Sequence, residues 1–144
     1  MLLKLSITLF FVFVSFASFA YDSIEDLVSG SIKYHFTNSP EKTAELWAPY
    51  SGDSAPIANA LIRYETLYGK PISYDTMATE KITPRVSIVF LAVNYEKGVT
   101  FLRLQTYLDL DNKWSLMFVT INPEPFGLIP TMITFSDRYD SYND

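Results

Sequence analysis

Residues 86–122 read VSIVFLAVNYEKGVTFLRLQTYLDLDNKWSLMFVTIN, and their reading decides the fold. Val, Ile, Phe, Tyr and Thr dominate, as strand surfaces require, and two turn signals divide the stretch. Lys97-Gly98 fits a tight hairpin turn, and Leu110-Asp111-Asn112-Lys113 fits a second. Three strands follow from this, at about Arg85–Tyr95, Val99–Asp109 and Trp114–Ile121. A fourth precedes them at about Ile72–Thr79, and Pro123 and Pro125 end the sheet. The run SIVFLAV makes the second strand the central one.

With two central residues in each loop, Glu96 falls opposite Val99 and Leu110 opposite Lys113, and the two faces can be computed. One face collects Val89, Leu91, Val93, Leu102, Leu104, Leu108, Met117, Val119 and Ile121. It is aliphatic and belongs beneath a layer of helices. The other carries Phe90, Ala92, Asn94, Phe101, Arg103, Gln105, Tyr107, Trp114, Leu116, Phe118 and Thr120. A face meant only for water holds more Lys, Glu and Thr, whereas aromatics with Arg are what interface centres prefer. The aromatics of this face, with Arg103 and Gln105 among them, are therefore the candidate partner-binding residues: Phe90, Phe101, Arg103, Gln105, Tyr107, Trp114 and Phe118. A one-residue bulge would exchange the faces beyond it, and the carboxy-terminal stretch could supply the cover instead.

Upstream the period changes to helical. Ser23 caps a segment from Ile24, with Asp26 in its first turn. Ser39-Pro40-Glu41 is a cap, a proline at the first helical position and an acid, and Pro49 stops that short helix. Asp53 or Ser54 caps a third helix in which Ile57, Leu61, Tyr64 and Tyr68 recur before Gly69 and Pro71. Helices followed by a meander give an α+β fold, with amino-terminal helices packed on a curved four-stranded antiparallel sheet. Gly127–Phe135 reads as an added strand, and residues 137–144 as a polar tail.

This layout resembles the nuclear transport factor two-like superfamily within the cystatin-like group. The resemblance rests on the helix end Leu67-Tyr68-Gly69-Lys70-Pro71, the central strand Val86–Asn94, the turn Glu96-Lys97-Gly98 and Trp114 after Asp111-Asn112-Lys113. It implies a cone-shaped sheet closed by helices. Enzymes of that group resemble one another in a cone lined by catalytic Asp, Tyr or His. No residue here matches such a motif, so no functional position is carried over. The group also holds binding, assembly and exported modules, and fold alone does not choose among them.

The first twenty residues, MLLKLSITLFFVFVSFASFA, give a short basic start, an apolar run and the ending Ser18-Phe19-Ala20. That pattern predicts a signal peptide at residues 1–20, cut before Tyr21, and a single domain over residues 21–136. The run is too short to span a bilayer, so no stable membrane insertion is expected after cleavage. The rival is an uncleaved anchor. Export to periplasm or medium follows from the first reading.

The whole chain carries a formal charge of −5, and loss of Lys4 with the leader makes it one unit more negative. Nucleic acid and anionic membranes need clustered Lys or Arg, so neither is an expected partner. The chain has no cysteine and one histidine, His35, which argues against thiol catalysis, the common zinc sites and any resident cofactor. His35 could act as a general base, although a histidine near a helix end more often serves the helix dipole. Asp75, Glu80, Lys81 and Arg85 flank the first strand's turn, where charges are usually solvated. Trp47, Tyr64 and Tyr68 form a candidate pocket for a small-molecule ligand, against the commoner outcome of aromatic core. The expectation is an exported non-enzymatic module that binds itself or another protein through the aromatic face. The alternative is a small pocket enzyme of the isomerase, dehydratase or hydrolase type.

Overall fold

In the computed structural model, residues 20–128 are described. Three helices, α1 (Ile24–Thr37), α2 (Pro40–Trp47) and α3 (Ala55–Tyr68), precede four strands. These are β1 (Pro71–Thr83), β2 (Val86–Tyr95), β3 (Gly98–Leu108) and β4 (Trp114–Asn122), followed by a 3-10 turn at Pro125–Gly127. The sheet is an antiparallel meander in the order β1-β2-β3-β4. The fold is thus the α+β arrangement expected, with helices on one face of the sheet.

Each helix begins where its cap chemistry places it. Ser23 Oγ accepts the Asp26 amide at 3.0 Å, and Ser39 Oγ accepts the Lys42 amide at 3.4 Å. At α3 the carboxylate of Asp53 accepts the Ala55 amide at 2.9 Å, while Ser54 occupies the cap position without a side-chain bond. The apolar stripes meet the sheet in one core that joins Leu27, Ile32, Trp47 and Leu61 to Val89, Leu91, Val93, Leu102, Leu104 and Val119.

The first hairpin departs from its expected register. Tyr95 faces Gly98, so Glu96-Lys97 are the central residues instead of Lys97-Gly98. The helix end explains it. The Lys97 amide donates to Tyr68 O at 2.8 Å and the Glu96 amide to Lys70 O at 3.1 Å, which fixes the turn against α3 and the start of β1. A Cβ on residue 98 would lie 2.6 Å from the Tyr68 ring, so glycine there admits the close approach. The slip is two residues along the pair and leaves the β2 and β3 faces unchanged.

The second hairpin keeps its register from Phe101↔Asn122 to Gln105↔Phe118, then changes. Thr106 pairs with Leu116, leaving Met117 as the extra residue of a bulge. Alternation beyond it is reversed. Leu116 is buried and Trp114 packs against the core, both on the helix side and not on the outer face where simple alternation put them. Met117, expected in the core, is only half-buried.

Strand β1 runs to Thr83, longer than Ile72–Thr79, and its ladder with β2 skips a residue three times. The skipped residues are Ile72, Met77 and Ile82, spaced by five, and all three are aliphatic and exposed. The added strand expected at Gly127–Phe135 starts inside the described residues as a 3-10 turn, with Gly127 closing it and Leu128 beyond. Its remainder, the polar tail and the leader up to residue 19 lie outside the described residues.

Candidate interaction surface

The outer face of the sheet can be followed as rows across strands. The row nearest the β4 end is Asp75, Ala92, Phe101 and Asn122. Ala78, Phe90, Arg103 and Thr120 form the next, and Glu80, Ile88, Gln105 and Phe118 the one after. Past the bulge, Thr83, Val86, Tyr107 and Ser115 complete the face.

The face divides into a covered and an open half. Phe90 is only 2 % exposed, because Leu128 lies on it with Ala78, Ile88 and Phe101 packed around. The chain thus leaves β4 at Asn122, turns through Pro125–Gly127 and crosses β3 to land on the middle of β2. In the other half, Phe118 is 43 % and Tyr107 37 % exposed, with exposed Gln105 beside them. Arg103 is half-buried between the halves and its guanidinium donates to Thr120 Oγ1 at 3.4 Å. Of the seven candidate residues, six share this face. Trp114 does not, because the Met117 bulge turns it inward, and a bulge leaves no mark in an alternating sequence.

The charges around the first strand are dispersed by other duties. Asn94 Nδ2 donates to Ser73 Oγ at 3.0 Å and to Asp75 Oδ2 at 2.9 Å. Arg85 donates to the carbonyls of Leu108 and Asp109, both at 3.0 Å, tying the β1–β2 turn to the end of β3. Asp75, Lys81 and Arg85 are exposed, in the arrangement of a solvated turn and not of an acid–base pair.

The candidate pocket residues are packed into the core. Trp47 is 1 % and Tyr64 9 % exposed, and Tyr68 closes the cluster from its edge. The rings of Tyr64 and Tyr68 stack at 6.1 Å, and Tyr68 meets Tyr95 at the same separation, tilted by 58°. Burial raises the Tyr64 and Tyr95 hydroxyls above their ordinary pKa. Outside this cluster a shallow groove of about 310 Å³ lies between Pro40, Ile62, Glu65 and Glu96. Lys70 lines it too and is engaged by Glu65 at 2.6 Å.

His35 is buried deep in the helical layer, 1 % exposed, with its ring 5.0 Å from that of Trp47 and 5.8 Å from that of Phe36. Among the described residues neither ring nitrogen has a hydrogen-bond partner, and Trp47 Nε1 has none. Burial pushes its pKa down to about 4, opposed by the Glu65 carboxylate and reinforced by the Lys70 ammonium. The imidazole is therefore neutral at pH 7, a core ring of the helical layer away from the outer face. Its sequence position near a helix end does not reveal this depth.

Among the described residues no group of three or more His, Cys, Asp or Glu is placed to hold a metal, and no helix is long and apolar enough to cross a membrane. No family model matches the chain, and neither a curated protein nor a solved structure matches it.

Proposed function

We propose that this is an exported, non-enzymatic module that associates through the open half of its outer sheet face, first of all with a second copy of itself. The observation that carries the reading is Phe118 and Tyr107 standing exposed beside Gln105, on a sheet face otherwise expected to be polar. Aromatic side chains lose little conformational entropy on contact and bring large apolar area, so they dominate interface centres. Gln105 and the edge of Arg103 supply hydrogen-bonding groups around them. A two-fold pairing makes one patch its own complement. Export is supported by the position of the expected cut: Ala20 is exposed, and Tyr21 after it is bonded into the fold.

Sedimentation velocity of the chain starting at Tyr21 tests the association. A dimer that Phe118→Lys converts into folded monomers is the expected result. A native chain that stays monomeric at high micromolar concentration, and captures no protein partner through Phe118, overturns the reading.

A further inference from the structure

We propose that folding shuts this chain's own processing site: the Ala20–Tyr21 bond is open to a signal peptidase only until β4 docks, so leader removal must come before folding. The proposal rests on the cut before Tyr21 put forward above; the geometry that closes the bond does not.

Hydrolysis adds water across that bond. The carbonyl carbon of Ala20 takes the hydroxyl and becomes a carboxylate, while the Tyr21 nitrogen takes the proton and leaves as an amine. That nitrogen is the one that donates to the Trp114 carbonyl, and the Tyr21 carbonyl accepts the Trp114 amide in return. A peptidase that lays its substrate in a cleft as an extended strand bonds the same backbone groups. Enzyme and β4 therefore compete for them.

There is no slack beyond the cut. The Tyr21 ring packs on the core and fills the space over Gly30. Asp22 pairs with Lys113, Ser23 Oγ accepts the Asp26 amide, and α1 begins at Ile24. Every residue from the bond to the first helix is thus held by the fold. Proteolysis of a folded chain follows the fraction that is open at the cut. Here opening means parting a two-bond bridge, an ion pair and a seated ring together.

Chain order leaves time for the cut. Trp114 begins the last of the four strands, so its bridge to Tyr21 closes only once nearly the whole domain is available. A bond near the start is guarded by a residue near the end.

The test uses the full 144-residue chain, refolded in detergent micelles and then given purified signal peptidase, with the cut followed by mass spectrometry. A second chain has a short glycine–serine spacer and a repeat of Tyr-Asp inserted after Asp22, which keeps the cut sequence and hands the bridge to the copy. A third, Trp114→Pro, loses the amide that the Tyr21 carbonyl accepts and keeps all residues before it unchanged. Cleavage of the native chain roughly ten-fold slower than of either variant is expected, whether or not Trp114→Pro folds. Equal rates for native and spacer chains overturn the proposal and leave the leader reading standing. A fast spacer chain beside a Trp114→Pro chain as slow as the native one also overturns it, because local sequence and not the bridge then sets the rate. No cut at Ala20 in any of the three overturns the leader reading, and the proposal with it.

Discussion

Tyr21 and Trp114 exchange both of their backbone hydrogen bonds, the Tyr21 amide donating to Trp114 O at 2.9 Å and the Trp114 amide to Tyr21 O at 2.7 Å. This bridge fastens the chain ahead of α1 to the first residue of β4. The Asp22 carboxylate adds an ion pair with Lys113 beside it. The Tyr21 ring lies where a Cβ on Gly30 would stand, 2.5 Å from its hydroxyl oxygen, so the glycine in α1 is a seat for the ring.

That seat predicts a reversal of sign. Glycine inside a helix is about 1 kcal/mol worse than alanine, so Gly30→Ala on its own helical merits stabilises. In the native chain it also expels the Tyr21 ring and should leave stability unchanged or lower. In a Tyr21→Ala background the same change should stabilise by about 0.5–1 kcal/mol. A double-mutant cycle by denaturant unfolding measures this, and equal effects in both backgrounds would show that ring and glycine are uncoupled.

The proposed cut before Tyr21 would make the anchored residue the first of the exported chain. Mass spectrometry of the exported material should show a chain beginning at Tyr21. A retained Met1 would sink the signal-peptide reading.

The Met117 bulge predicts an inverted pattern on β4. Leu104→Ala and Leu116→Ala should each cost about 2–5 kcal/mol through the cavity they leave. Gln105→Ala should cost little, because its side chain is exposed. Uninterrupted alternation instead makes Met117→Ala the costly change and Leu116→Ala the mild one. Unfolding of the four variants decides between the two patterns.

Burial of His35 makes stability depend on pH. Its folded pKa of about 4 lies below the 6.5 of an exposed imidazole, so the unfolded chain takes up the proton first. Stability attributable to this group is intact above pH 6.5, falls as the pH drops toward 4, and levels off below. The loss over that window is about 3 kcal/mol. Replacing the ring removes this component, so the stability gap between native chain and His35→Leu should shift by that amount between pH 7 and pH 4. A gap that does not change with pH would place the imidazole in water.

How much of this was legible beforehand follows from which interactions are local. Ser23, Ser39-Pro40 and Asp53 announce their helices because cap and capped amide lie within three residues of each other. The sheet order and the β2 and β3 faces follow from periodicity and turn chemistry. Turn chemistry alone centres the first hairpin on Lys97-Gly98, whereas the turn sits at Glu96-Lys97 because its amides donate to the Tyr68 and Lys70 carbonyls, a tertiary contact with no sequence signature. Alternation alone puts Trp114 on the outer face, because the bulge at Met117 sits inside an unbroken strand pattern. For the same reason the solitary histidine could not be placed: neighbouring residues give its helical position, while its depth comes from α2 and Trp47.

The three skipped residues of β1 bear on how copies of this chain can meet. Each interruption of the ladder bends the free rim of the sheet and breaks the even row of amides and carbonyls that an incoming strand would need. At the opposite rim, Tyr21 already occupies the backbone groups of Trp114. Strand-to-strand growth, which repeats without limit and ends in fibres, is thus discouraged at β1 along its length and at β4 where that strand begins. What is left to a sticky surface is contact through its flat side, where a two-fold pairing uses up both patches and stops at two. An assembly made through that face would be kept finite by the same geometry.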